Sequence, residues 1–172
     1  MSDNLPEHPV DASLAPDGDA YVLTMERELA HPVEGVWAAL TRPADVVHWA
    51  PYRPDRELTA VGPVVLADNG DDTEEPEPAR VVRVEPPHLL VLDWGGQELT
   101  YRLAATEAGT LLHFTHRFDD RNPAPSYGAG WHLCWSALMM LLDGDTPPRL
   151  HGGDAERHGW AGYREQYEAL LG

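Results

Sequence analysis

Three histidines could ligate a metal ion or transfer a proton: His113, His116 and His132. His113 and His116 are three residues apart in a segment with strand-like alternation, so we expect their side chains on opposite faces of a sheet. They cannot share one metal ion without a bulge. His132 follows Trp131 in a predicted helix and is expected to lie off its apolar face. No metal site is therefore predicted.

The other nucleophilic groups lack a setting for catalysis. Ser126 and Ser136 are not in the G-x-S-x-G context of a nucleophile elbow. Cys134 is the single cysteine and lies in an apolar stretch, which favours a buried core thiol over a reactive thiolate. The chain has no lysine, which excludes the lysine of a phosphate-binding loop. We predict no catalytic residue and no cofactor.

A second group of residues is suited to binding an apolar molecule. Alternation places one set of large side chains on the same face of three predicted strands, and helical spacing adds further tryptophans. An apolar, aromatic surface with a few polar groups is typical of a small-molecule cavity. The predicted ligand-binding residues are Trp49, Leu92, Trp94, Tyr101, Leu112, Phe114, His116, Trp131 and Trp135.

The elements that carry these residues follow from periodicity. Residues 21–29 alternate as a strand with Arg27 on the apolar face, which indicates either an inward polar group or a shift of parity. A short helix follows from Pro32 and a second from Pro43, ended by Pro51. The strongest helical pattern runs from Tyr127 to Leu142 and carries Trp131 and Trp135.

Between the short helices and the long helix, the pattern predicts a run of strands separated by turn residues. Consecutive strands with short connections favour an antiparallel meander. The acidic, proline-containing segment 68–78 is expected to form a mobile hairpin loop rather than a calcium site, because the ligand spacing of a calcium-binding loop is absent. The predicted strands are 56–60, 63–66, 79–84, 88–94, 98–104 and 110–118.

Composition predicts one folded domain with additional segments at both ends. Residues 1–20 are rich in Pro, Asp and Gly and are expected to form a disordered tail. The domain is expected over 21–144 and a linker over 145–156. Residues 157–172 have an apolar stripe and predict an amphipathic helix packed on the domain.

The charge of the chain bears on its partners and compartment. The formal net charge is −17, and every basic residue is arginine. A chain this acidic repels phosphate backbones and anionic lipid surfaces, so we expect no nucleic-acid partner. No apolar run is long enough for membrane insertion and the amino terminus does not look like a signal peptide, which favours a cytoplasmic protein. We expect a monomer or a weak homodimer.

Four segments together resemble the START-like (SRPBCC) superfamily, and within it the branch similar to the activator of the Hsp90 ATPase. They are ERELAHPVEGVWAALTRPADVVHW (26–49), VRVEPPHLLVLDW (82–94), GTLLHFTHRFDD (109–120) and GAGWHLCWSALMMLLDG (128–144). The resemblance covers roughly residues 22–144. It implies an α+β helix-grip fold, in which a curved antiparallel sheet wraps a long C-terminal helix and two short helices follow the first strand.

The resemblance does not settle function, because one such scaffold hosts transport, sensing, cyclisation and co-chaperone roles. Our first hypothesis is a binding protein for a small hydrophobic or aromatic molecule, lipid-like or polyketide-like, held between the sheet and the long helix. The alternative is a cyclase- or aromatase-like enzyme that uses His116, Tyr101 and Arg27 in the same cavity. A third possibility is a chaperone co-factor that acts through a protein partner.

Overall fold

One antiparallel sheet and four α-helices make up the protein in the computed structural model, which describes residues 5–69, 75–150 and 152–172. The strands are β1 (Ser13–Asp17), β2 (Ala20–Leu29), β3 (Tyr52–Pro54), β4 (Gly62–Asp68), β5 (Glu77–Glu85), β6 (Leu89–Trp94), β7 (Gln97–Ala105) and β8 (Thr110–Phe118). The helices are α1 (Val33–Thr41), α2 (Pro43–Val46), α3 (Ala124–Leu142) and α4 (Trp160–Leu171), and a 3-10 helix (Gly152–His158) precedes α4.

The sheet has the strand order β1-β2-β8-β7-β6-β5-β4-β3, with every neighbouring pair antiparallel. Side chains of β8 alternate between buried and partly exposed, so one face is dry and the other faces water. A register shift between β5 and β6 at Val81 and Arg83 adds local curvature. Two residues with positive φ, Gly95 (61°) and Gly96 (85°), form the tight turn between β6 and β7.

Helix α3 lies against the dry, concave face of the sheet. The ring of Phe114 from β8 lies 4.5 Å from that of Trp131 and 5.0 Å from that of Trp135, measured between centroids. Residues 131–138 of α3 are all buried. This curved antiparallel sheet around a long C-terminal helix, with two short helices after the strand β2, confirms the predicted α+β helix-grip fold.

Arg27 faces the interior of the protein, which is the first of the two alternatives that the sequence left open. It is 5% exposed on the apolar face of β2 and its guanidinium has neutral acceptors. The Nε atom donates to Nδ1 of His8 at 2.7 Å, and the two Nη atoms donate to the carbonyl oxygens of Asp11 and Pro9 and to the hydroxyl of Tyr167. Burial lowers the pKa of Arg27.

These contacts correct the expectation of a disordered tail. Residues 13–17 pair with β2 as an added edge strand, and His8 lies on α3, where its Nε2 atom is 3.0 Å from the hydroxyl of Ser136. The segment is ordered because Arg27 needs the acceptors that its backbone and His8 supply. At the other end of the chain, Tyr167 of α4 is fully buried against α3, and Leu150 of the predicted linker is buried as well.

The expectation for His132 is also corrected. His132 is fully buried on α3, stacked on the ring of His8 at 3.8 Å between centroids. Its Nδ1 atom lies 2.8 Å from the hydroxyl of Tyr167. Since that hydroxyl accepts from Arg27, its own hydrogen is available to His132. The side of α3 that carries His132 is shielded from solvent because α4 and the amino-terminal segment cover it.

One predicted strand is wrong: residues 56–60 form a loop. The guanidinium of Arg56 donates to the carbonyl oxygens of Glu57, Ala60, Gly62 and Pro63, and so gathers the backbone into a turn. A three-residue strand, β3, forms just before this loop instead. The middle of the predicted acidic loop, residues 70–74, lies outside the described residues. In the part of the chain that is described, no helix has both the length and the apolar character needed to cross a membrane.

Candidate functional site

A pocket of about 610 Å³ opens between the amino-terminal half of α3 and the β6–β7 hairpin. Trp94 and Gln97 flank the hairpin turn, and Tyr127 and Trp131 come from α3. The residues after α3 return to form the opposite wall, where Trp160 is the first residue of α4. The space is open on α3 because Gly130 has no side chain, and a Cβ atom built there would meet nothing within 4 Å.

Four aromatic side chains therefore surround one cavity: Trp94, Tyr127, Trp131 and Trp160. A pocket of several hundred cubic ångströms with an aromatic lining suits a small molecule with an apolar body. The indole Nε1 of Trp94 is buried and has no hydrogen-bond partner among the described residues.

His116 is the polar centre of the pocket wall and is 4% exposed. The indole of Trp131 can only donate, and its Nε1 lies 3.0 Å from Nδ1 of His116. The neutral ring therefore carries its hydrogen on Nε2, which donates to Oε1 of Gln97 at 2.5 Å. Burial lowers the pKa of His116 to about 3, so the ring is neutral at physiological pH.

The series of hydrogen bonds from Trp131 through His116 to Gln97, here called the relay, continues to Tyr127. With its Oε1 accepting from His116, the amide of Gln97 has its Nε2 free to donate, and that atom lies 3.3 Å from the hydroxyl oxygen of Tyr127. The hydroxyl hydrogen of Tyr127 is then available to a molecule in the pocket. The hydrogen bonds therefore all donate in one direction, from Trp131 to His116, then to Gln97 and then to Tyr127, in an otherwise apolar wall.

This geometry does not suit general base catalysis by His116. Both ring nitrogens are engaged by neighbouring side chains, and a base needs a free lone pair within reach of the substrate proton. Cys134 also reaches the pocket, but burial raises the pKa of its thiol, so it is a neutral group rather than a nucleophile. Among the described residues, no three His, Cys, Asp or Glu side chains are grouped as a metal site would require.

Of the nine predicted ligand-binding residues, Trp94, His116 and Trp131 line this pocket. The remaining six are buried in the core and do not line it: Trp49, Leu92, Tyr101, Leu112, Phe114 and Trp135. Their polar groups are mostly used internally. The indole of Trp49 donates to the carbonyl of Ala39 at 2.8 Å, and the Tyr101 and Tyr52 hydroxyl oxygens are 2.8 Å apart.

Beyond the pocket, side chains of α3 pack directly against the sheet. Trp135 stacks between Trp131 and Trp49, with centroids 5.4 and 5.9 Å apart, so Trp135 and Trp49 lie in the packed core while Trp131 also reaches the pocket. Parity gives the face of a strand on which a side chain lies. It does not tell a filled part of that face from an open one.

Several pocket residues were missed from the sequence. Tyr127 and Cys134 lie on the same helical stripe as Trp131, and that spacing was a usable signal. Gln97 follows the Gly95–Gly96 turn at the open end of the sheet. The positions of Glu156 and Trp160 depend on where the chain returns after α3, for which the sequence offers no local signal.

The fold and pocket define the class of protein. A curved antiparallel sheet closed by one long helix, with a cavity between them, is the helix-grip arrangement of START-like proteins. The family model described as Activator of Hsp90 ATPase homolog 1-like protein matches residues 30–143, and the chain belongs to this family. No curated protein sequence matches it.

Solved structures show the same fold at low identity. A conserved protein of unknown function from Enterococcus faecalis is 15% identical with a TM-score of 0.73, over 92% of this chain and 89% of that one. CalU16 from Micromonospora echinospora is 22% identical with a TM-score of 0.65, over 93% and 95%. The AHSA1-like protein from Aeromonas hydrophila is 18% identical with a TM-score of 0.60, over 72% and 92%.

Proposed function

We propose that the protein binds a small hydrophobic or aromatic molecule in the pocket between the β6–β7 hairpin and α3. The observation that carries the proposal is the pocket of about 610 Å³ with Trp94, Tyr127, Trp131 and Trp160 around it. Proteins of this family generally bind hydrophobic ligands, which supports the same function. The hydroxyl of Tyr127, at the end of the Trp131–His116–Gln97 hydrogen bonds, supplies a donor that would orient a ligand.

Filling the pocket tests the proposal. Gly130→Leu adds a side chain where the helix faces open space, while Gly162→Leu adds the same side chain on exposed α4, outside the pocket wall. A library of flavonoids, polyketide-like aromatics and long-chain alcohols and amines is screened by amide chemical shifts, and dissociation constants are measured by calorimetry. We expect Gly130→Leu to weaken binding about tenfold or more and Gly162→Leu to leave it unchanged.

The result that contradicts the proposal is equally specific. If no compound shifts the amides around Trp94, His116 and Trp131, the pocket does not bind these classes of molecule. Binding that survives Gly130→Leu would place the ligand elsewhere in the fold.

The enzyme alternative has no support from the geometry. It required His116, Tyr101 and Arg27 to converge in one cavity. Tyr101 is instead paired with Tyr52 in the core, and Arg27 is bound to the amino-terminal segment and Tyr167. Neither lines the pocket.

A chaperone co-factor role is suggested by the family description alone. Five large apolar residues of the described chain are exposed: Val47, Val61, Val65, Val82 and Leu170. Val61 and Val82 adjoin the paired residues Gly62 and Val81, and a protein-docking surface would be expected to group more such residues than this pair. We propose a monomer or weak homodimer in the cytoplasm, and sedimentation analysis tests the assembly state.

A further inference from the structure

The charge around the pocket indicates which hydrophobic molecules it accepts. Two carboxylates, Glu77 and Glu156, belong to the pocket wall, and both residues are exposed, so they lie where the pocket meets solvent. Neither forms an ion pair with a described residue. Glu77 begins β5 and packs over the hairpin turn, since a Cβ atom on Gly95 would lie 3.2 Å from its Oε2.

No positive side chain offsets these two carboxylates within the pocket wall, because none of its described residues is an arginine and the chain contains no lysine. The arginines nearby offset only part of this charge. Arg149 and Arg157 share the single carboxylate of Asp154, at 3.2 and 3.5 Å, so these three residues carry a net charge of +1 against the two glutamates, and Arg164 reaches Glu168 at 3.5 Å. Arg164 also donates to the hydroxyl of Ser126, which lies in the pocket wall, so its guanidinium is held behind that residue.

The aromatic rings of the pocket, like the carboxylates, favour a positively charged ligand. The faces of tryptophan and tyrosine rings carry negative electrostatic potential and attract organic cations, and tryptophan does so most strongly. Three tryptophans and one tyrosine surround this pocket, next to the two carboxylates. The net charge of −17 extends the negative field beyond the pocket, raising the local concentration of cations and repelling anions.

From this combination of rings and carboxylates that form no ion pair with a described residue, the geometry points to a protonated amine with an aromatic or aliphatic body as the ligand, and against fatty acids and other anionic lipids. This inference rests on the proposed function, since it specifies the chemistry of a molecule in the same pocket. The apolar body contacts Trp94, Trp131 and Trp160, and the ammonium group lies toward Glu77 and Glu156. A hydrogen-bond acceptor on the body is accessible to Tyr127.

A matched series of probes separates the charge preference from binding itself. Naphthylethylamine, naphthylethanol and naphthylacetate share one apolar body and differ in charge. We expect calorimetry at neutral pH and low salt to give the amine an affinity about tenfold above the alcohol, with the acetate weakest. Added salt should narrow the gap between amine and alcohol.

Two double variants locate the charge responsible. Glu77→Gln with Glu156→Gln should bring the affinity for the amine close to that for the alcohol, and leave the alcohol itself within about twofold. Glu28→Gln with Glu34→Gln removes the same net charge from exposed positions outside the pocket wall, and should preserve the preference.

The outcomes distinguish the two proposals. If none of the three probes binds, the cation preference is overturned, while the binding function stands or falls by the library screen and the Gly130→Leu variant. If all bind equally or the acetate binds best, the binding function stands and the cation preference is overturned. Equal effects of the two double variants would assign the preference to net charge and overturn the role of Glu77 and Glu156.

Discussion

The hydrogen bond between Trp131 and His116 can be separated from the packing of the indole. Trp131→Phe removes the donor to Nδ1, whereas Trp135→Phe removes a similar volume from a neighbouring indole whose Nε1 has no partner among the described residues. Both variants lose core volume. We expect Trp131→Phe to lower the free energy of unfolding by about 1 kcal/mol more than Trp135→Phe, measured by urea denaturation.

A spectroscopic measurement checks the same bond. Nitrogen chemical shifts of the His116 ring should report a neutral imidazole with its hydrogen on Nε2 in the wild type. In Trp131→Phe the preference for this tautomer should weaken, because Nδ1 loses its donor. A wild-type ring with its hydrogen on Nδ1 would contradict the relay to Gln97 and Tyr127.

The contact between α3 and α4 depends on Gly128, whereas Gly130, in the same half of α3, faces the pocket. A Cβ atom on Gly128 would lie 2.9 Å from Cγ of Tyr167, while one on Gly130 would meet nothing within 4 Å. We therefore expect alanine at these two positions to change the free energy of unfolding in opposite directions. Gly128→Ala should reduce stability by about 1–3 kcal/mol, since the base of a buried ring must shift. Gly130→Ala should increase stability by about 0.5–1 kcal/mol through helix propensity.

Urea denaturation of both variants measures these signs, and hydrogen exchange of α4 amides shows where Gly128→Ala acts. Faster exchange confined to α4 and the amino-terminal segment is expected, because both depend on Tyr167 and Arg27. Unchanged stability of Gly128→Ala would mean that α4 moves on α3 without cost, against the close packing described above.

At the scale of the whole molecule, the buried His116 and His132 and the partly buried His8 make stability depend on pH. Burial lowers the pKa of His8 to about 4, and of His116 and His132 to about 3. In the unfolded chain, the pKa of each histidine is the ordinary value of about 6.5. In the folded state, each of these rings binds a proton only near its lowered pKa. Stability is therefore full above about pH 6.5 and falls as the pH drops toward 4, by about 1 kcal/mol per histidine between pH 7 and 5.5.

Urea denaturation at pH 7.0 and about 5.5, a range above the titration of most carboxyl groups, tests this dependence. His116→Gln should lower stability overall and flatten the pH dependence by about 1 kcal/mol. His48→Gln, at an exposed position, should follow the wild-type curve. A His116→Gln curve parallel to that of the wild type would show that His116 does not contribute.

Much of the fold could be predicted because its strands alternate clearly. The face of β8 with Leu112, Phe114, His116 and Phe118 is buried as the pattern indicated. β1 could not be predicted, since residues 13–17 contain Pro16 and lack apolar alternation. That strand forms because β2 offers an edge and Arg27 anchors the segment before it, which is a tertiary cause.

The site was predictable only in part for a related reason. Alternation and helical spacing identify residues that face the interior, and three of them line the pocket. Whether interior space is filled depends on how deeply Trp49 and Trp135 stack, and on the absence of a side chain at Gly130. The contribution of Trp160 depends on the return of the chain after α3. Such long-range features are not encoded in local periodicity.

The contacts of Arg27 have a consequence for the order in which the protein is completed. Its guanidinium takes acceptors from Pro9 and Asp11 near one end of the chain and from Tyr167 near the other. Domains commonly begin to fold during synthesis. Here the emerging sheet must keep one charge hydrated until α4 has been synthesised and has left the ribosome. Closure of this part of the core therefore comes after the synthesis of α4, whatever structure the sheet has gained before that point.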